Sequence, residues 1–343
     1  MTTKHADFEA ASMSELMMQV YEHAYREGWT DGLPIIPPTP ELVSQFIAAS
    51  GRAPDELIAI LPPRKGRATV EVIAVNAVMA GCRPEYMPVV IAAVDAVADP
   101  AFPLELMQIT TNPMTPLLLI NGPVRKALEI NDSTGCLGPG WRANATIGRA
   151  LRLVLNNVGG AVPVTYSKST FGSPLRYSFI CGENEEENPW TPYHVDAGFE
   201  RNDSTVTAFK ASSFLNISGG EGVGPEEILR HIATNMPPMY AAGDGALLVL
   251  GIDRARALHD AGLSKQDIQQ RLWELARVPI SHVAANFART QRESGLGDAE
   301  TIWRTRSPDE IRIVVAGGPG PQDLYIAAGM PQTRKVVMPK AAS

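Results

Sequence analysis

The sequence predicts an α/β or α+β protein of two domains, with mixed sheets covered by helices. Three observations predict it. Several segments carry apolar residues at helical spacing. Short apolar runs bounded by Gly, Pro and Asn alternate with them, as strands between helices do. The 343 residues suffice for a large core and more than one domain.

Residues 12–27 read as a helix. Ser12 and Glu15 have capping-box spacing, and Leu16, Met17, Val20, Tyr21 and Ala24 form one apolar stripe. Gly28 stands where a C-cap belongs. Pro34, Pro37 and Pro38 then enforce an extended arm. Thr39 and Pro40 are an N-cap and first-turn pair for a helix ending near Gly51. Two apolar helices follow, over 68–80 and 84–98, with Gly81 ending the first. The run 116–122 is a buried strand, and 143–157 is a helix with Ile147, Leu151, Val154 and Leu155 inward. Strands over 176–182 and 204–210 flank an acidic loop. The glycine-rich stretch SGGEGVGP marks a boundary, giving domains 1–218 and 219–343. Beyond it come a helix from Pro225, a strand over 245–252, helices over 253–261 and 264–277, and a strand over 310–320. No internal repeat is visible.

Composition narrows the function classes. Hydrophobic residues make up 45% and charged residues 20%, as in soluble globular proteins. A net charge of -7 excludes a general nucleic-acid surface, which needs a basic face. Arg64-Lys65-Gly66-Arg67 reads as a solvated loop. The sequence shows neither a secretory signal nor an apolar run of membrane-spanning length. Three cysteines, Cys82, Cys136 and Cys181, are too few for a disulfide scaffold and fit a reducing cytoplasm.

Three constellations carry chemistry. In the first, Cys82 and Arg83 precede Pro84 and Glu85 at a helix start. Free helix N–H groups and the Arg83 guanidinium favour a thiolate there, with Glu85 as ion-pair partner or proton carrier. A cysteine between apolar helices is equally a buried hydrophobe. In the second, Gly135, Gly138 and Gly140 lead into a helix with Arg142 before it and Asn144 as its N-cap. Such a turn makes an anion nest, or merely a tight connection. A meeting of Cys136 with Cys82 would make a dithiol. In the third, Glu183, Glu185, Glu186 and Glu187 crowd after a strand, and His194 follows a rigid spacer. A buried carboxylate there has a raised pKa, and Glu185 with His194 splits proton roles. Glu183, Glu186 and His194 are the alternative, as metal ligands. A surface acidic loop is the plain reading. Gly219–Gly224 reads as a hinge, and AGGPG (316–320) lies where α/β proteins bind ligands.

The segments GWTDGLPIIPPT, NAVMAGCRPEYMPVVIAAV, GPGWRANATIGRALRLVLNNVGG, ENEEENPWTPYH and DSTVTAF together resemble a bacterial family associated with small redox-like proteins that carry a UGSC or CGSC motif, the UGSC family. The resemblance covers nearly the whole chain. It implies family positions at Cys82, Arg83, Pro84, Glu85, Arg142, Asn144, Glu185, Glu186 and His194. The UGSC motif itself is absent from this chain, so chemistry needing it implies a partner protein. The expectation is a soluble bacterial enzyme or enzyme subunit, oligomeric, acting on a small anionic metabolite by thiol-assisted reduction, cleavage or addition at Cys82. Its catalytic residues would be Cys82, Glu85, Glu185 and His194. Arg83, Gly138, Gly140, Arg142 and Asn144 would bind substrate. The alternatives are a metal-dependent hydrolase or lyase and a non-catalytic subunit of a complex. No cofactor is indicated.

Overall fold

The computed structural model describes residues 6–220, 222–236 and 245–339. Its centre is one mixed six-stranded sheet. The strands are β1 (Thr115–Asn121), β2 (Ile180–Gly182), β3 (Thr205–Ser218), β4 (Ala246–Leu250), β5 (Ile311–Val315) and β6 (Gln322–Lys335). Their spatial order is β2-β1-β3-β6-β4-β5. β1 pairs parallel with β2, and β4 with β5. All other neighbours are antiparallel.

This order reads the same from both edges. Each half holds a parallel edge pair and a long inner strand antiparallel to it, and the two long strands pair at the centre. The fold therefore contains a structural repeat that the sequence does not display. It also places the expected boundary at 218/219 at the end of β3, within a sheet that continues into the second half. The two halves differ in their outer layers rather than in separate sheets.

The sheet curls until its edges meet at one end. The Asn184 N–H, just past β2, donates to Val315 O of β5 at 2.8 Å, and the Gly317 N–H donates to Asp132 O at 2.9 Å. Alternation along the strands then sets two faces. The inner face gathers Leu119, Cys181, Phe209, Val249, Val314 and Ile326, one from each strand, into a single apolar cluster. The outer face is covered by helices, separately in each half.

Over the first half lie α1 (Met13–Arg26), α2 (Pro40–Ser50), α3 (Val70–Ala80), α4 (Met87–Ala98) and α5 (Arg142–Asn157). α3 and α4 are apolar over most of their surface and largely buried, with Glu71 and Asp95 turned to solvent. At 11 and 12 residues they are short, and among the described residues no helix is long and apolar enough to cross a membrane. α5 buries Ile147, Leu151, Val154 and Leu155 as its spacing predicts. Gly148 lets it sit on the chain before β2, where a Cβ would lie 2.2 Å from Ser178 Oγ. The second half carries α6 (Pro225–Thr234), α7 (Ile252–Asp260), α8 (Lys265–Leu275) and α9 (Ala285–Glu293).

Local signals mark most helix ends. Ser12, Thr39 and Ser264 each accept a hydrogen bond from a first-turn N–H, and Gly51 and Gly81 terminate α2 and α3 at positive φ. Several expectations are corrected. The segment from Pro84 opens as a single 3-10 turn before α4. Strand structure before Gly182 begins at Ile180, not at residue 176. Of the α1 stripe only Ala24 is buried. Asn144 does not cap α5, whose N-cap is Trp141.

Gly122, just after β1, has φ +79, and a Cβ there would lie 2.1 Å from Asp203 O. Gly122→Ala therefore strains the backbone and collides with a carbonyl. The expected loss is at least about 2 kcal/mol in urea unfolding. A loss below about 0.5 kcal/mol would show that this turn relaxes.

Candidate functional site

Cys82 lies in the apolar cluster beneath the first-half helices, 5% exposed. Its Sγ donates to Thr146 O at 3.3 Å. Burial pushes its thiol up to about 12, against the pull of Thr146 and of Arg142 and Arg149. The expected activated thiolate is corrected to a core thiol. The helix ends and the guanidinium are near, but loss of hydration outweighs them. Arg83 pairs with Glu129 at 3.2 Å on the surface, not with Glu85, which is exposed.

Arg142 points back to the end of α3. Its Nε donates to Gly81 O at 3.0 Å and its Nη2 to Cys82 O at 3.2 Å. These carbonyls are left unpaired by the helix end, so Arg142 acts as a C-terminal cap from another element. Gly138 and Gly140 lie in the exposed turn ahead of α5, closed by Gly138 N–H to Gly135 O at 2.7 Å. The first and second sequence constellations thus do meet, through backbone rather than through a pocket.

Asn144 has a different task from the one expected. Its Oδ1 accepts from the Asn131 N–H at 2.8 Å, and its Nδ2 donates to Asn131 O and Cys136 O, each at 3.0 Å. The buried amide clamps the 131–136 turn onto β2. Gly182 N–H completes the clamp by donating to Asn131 O at 3.1 Å.

The clamp brings Cys136 against Cys181, not against Cys82. Both are free and buried, lie in the same apolar cluster, and each perturbs the other's ionisation. The Cys181 thiol donates to Cys136 and holds it below the ordinary cysteine value, helped by the Gly317 N–H and opposed by burial and Asp132. The same bond, with deeper burial, pushes Cys181 well up. Cys136 therefore ionises more readily than Cys181.

The acidic loop is buried at its start and exposed at Glu186. Glu183 is fully buried and accepts from Asn121 Nδ2 at 2.6 Å, Asn188 Nδ2 at 2.8 Å and the Tyr193 N–H at 2.8 Å. Burial still raises its pKa above the usual carboxylate value, despite Lys265 and these donors. Glu185 accepts from the Gly122 N–H at 2.6 Å and meets Arg125 Nε at 3.1 Å. Arg125, 2% exposed, also holds Asp132 and lies 3.1 Å from Glu186. Burial would raise Glu186, but Arg125 and Lys126 hold it below its ordinary value. His194 is fully buried, with Nε2 facing Arg201 O at 3.2 Å and Nδ1 3.9 Å from Glu185. The carboxylates expected as metal ligands are thus engaged by amides and cations. Among the described residues no group of three His, Cys, Asp or Glu is placed to hold a metal ion.

Sequence reasoning passed over Asn121, Arg125, Asp132 and Cys181. The available signal was NGPVRKAL directly after a buried strand, where an arginine faces whatever the neighbouring parallel strand releases. No protein-family model matches this chain, and no curated protein matches it.

The second half buries its own carboxylate. Asp323, 4% exposed at the start of β6, lies 3.7 Å from Arg254 Nε and has an unpartnered Oδ1. Burial raises it from 3.8 to about 7, although Arg254 and the Gly251 N–H oppose this. A raised folded pKa means the native state holds the proton more tightly. The contribution to stability is full below about 3.8 and is lost as pH rises through about 7. Urea unfolding from pH 4 to pH 8 should show this decline in the wild type and a flatter profile in Asp323→Asn. Identical profiles would remove Asp323 as the titrating group.

Proposed function

We propose that this chain is a thiol-dependent enzyme or enzyme subunit acting on a small anionic metabolite, and that its reactive thiol is Cys136, resolved by Cys181. The observation that carries this reading is the placement of two free thiols in one apolar cluster, with opposite ionisation tendencies. It moves the thiol chemistry expected at Cys82 to the next glycine turn and favours its reductive branch.

The step balances as thiol–disulfide exchange. The Cys136 thiolate attacks one sulfur of an acceptor disulfide and displaces the other as thiolate. Cys181 then attacks the Cys136 sulfur, forming the Cys136–Cys181 disulfide and releasing the second acceptor sulfur. The Cys181 proton passes to a released thiolate. Two electrons leave the chain for the acceptor. A UGSC-type partner is the protein acceptor that the sequence resemblance implies; a separate dithiol donor, itself oxidised to a disulfide, would supply the two electrons and two protons that return Cys136 and Cys181 to thiols.

The substrate's charge rests on the start of α5. This 16-residue helix has no side-chain cap and begins just after the turn that holds Cys136, where exposed Gly135 and Leu137 flank a buried thiol at 8% exposure. Its free N–H groups attract an anion close to the thiol.

Oxidation of the native protein with stoichiometric diamide, followed by peptide mapping, tests the assignment. The expected product is one Cys136–Cys181 cross-linked peptide with loss of two hydrogens, reversed by dithiothreitol. In Cys181→Ser, Cys136 should instead trap an added thiol as a lasting mixed disulfide. A cross-link involving Cys82, or none at all, would overturn the reading.

A further inference from the structure

α1 is rich in large apolar side chains, yet only Ala24 of it is buried. The helix is held to the body along one side. There His23 stands edge-on to Trp29, with 5.1 Å between ring centroids, and the Trp29 N–H donates to Ala24 O at 2.8 Å. Met17, Tyr21 and Tyr25 stand one turn apart on another side, with Met18 beside them. Met17, Met18 and Tyr25 are 55%, 56% and 61% exposed. Tyr21 Oη donates to Gly32 O at 2.9 Å and draws the extended arm alongside, which adds exposed Leu33 to the row. Large apolar side chains gathered in one exposed row mark a contact surface.

The charges beside this row decide what can cover it. Glu15, Glu22 and Arg26 follow one another at intervals of seven and four residues and so line one flank. Among the described residues none of the three makes an ion pair. Glu15 instead accepts from the Ala11 N–H at 3.1 Å and from Gln19 at 3.2 Å. A helix that lies on a lipid surface carries Lys and Arg on such a flank, whereas two of these three residues are acids. A second copy in parallel would set Glu15 against Glu15 and Glu22 against Glu22. A second copy in antiparallel does the opposite. The two-fold axis lays each flank against the same flank reversed, so the acidic start of one helix meets the basic end of the other.

We propose that α1 is a dimerisation helix that pairs antiparallel with α1 of a second copy of this chain, about a two-fold axis beside Tyr21. In this register Glu15 reaches Arg26 of the second copy, and the pair occurs twice. Met17 and Met18 meet Tyr25 of the second copy, a sulfur–aromatic contact that also occurs twice. The two helix dipoles oppose each other. At 14 residues α1 is about 21 Å long. The contact is therefore at the small end of specific interfaces, and the dimer is expected to dissociate between about 1 and 100 µM.

Sedimentation velocity of the whole protein across that range tests the proposal. The wild type is expected to pass from monomer to dimer. Met18→Glu, at an exposed position, is expected to fold and to remain monomeric. Arg26→Glu is expected to weaken the dimer roughly tenfold, because two symmetry-related pairs become repulsive. Adding Glu15→Arg to Arg26→Glu is expected to restore the affinity to within about threefold of the wild type. Circular dichroism and thermal unfolding check that each variant keeps its fold. A wild type that stays monomeric at about 100 µM would overturn the proposal, whether or not it binds phosphatidylcholine vesicles instead. A dimer that survives Met18→Glu would place the interface elsewhere and overturn it too. Failure of the double variant to recover would overturn the antiparallel register.

Discussion

One buried guanidinium organises the end of the sheet beside Cys136 and Cys181. Arg125 follows β1, Glu185 and Glu186 follow β2, and Asp132 leads into the turn that carries Cys136. Arg125, with Lys126 beside it, therefore joins the chain after β1 to the loop after β2. Desolvating it is tolerable only because the carboxylates close around it. Removing one side of such a buried network typically costs roughly 3–5 kcal/mol. The geometry of the site is thus tied to a charge balance that neither the strands nor the loops set alone.

The curled sheet supplies the second constraint. Its edges meet beside this cation, through Asn184 and Val315 and through Gly317 and Asp132. The Gly317 N–H is delivered to the Cys136 turn from the far half of the chain. Asn144 fixes the same turn from α5. The dithiol consequently sits where both halves of the structural repeat converge.

The sequence made the helices legible where the signal is local. Ser12, Thr39 and Ser264 announce starts, and Gly51 and Gly81 announce ends, because a cap depends on only a few neighbouring residues. The α5 stripe was readable for the same reason. β6 was not, because Gly329 and Pro331 interrupt it where its ladder breaks between Gly329 and Gln332. The repeat was hidden because it lies in strand order rather than in side chains. At the site, the acidic loop and the Cys136 turn were legible as unusual text. Which thiol meets which is a question of tertiary contact. Cys181 looked like an ordinary strand residue, and Cys82 looked activated because burial cannot be read from a neighbouring arginine.

The central claim is that Cys136, not Cys82, is the thiol the fold prepares for reaction. The most direct measurement is the rate of iodoacetamide alkylation of each cysteine in the native protein against pH, resolved by peptide mass spectrometry. The account predicts that Cys136 reacts first, with a midpoint below that of an ordinary cysteine, while Cys82 stays unlabelled until the protein unfolds. Rapid labelling of Cys82 at neutral pH, with Cys136 inert, would contradict it.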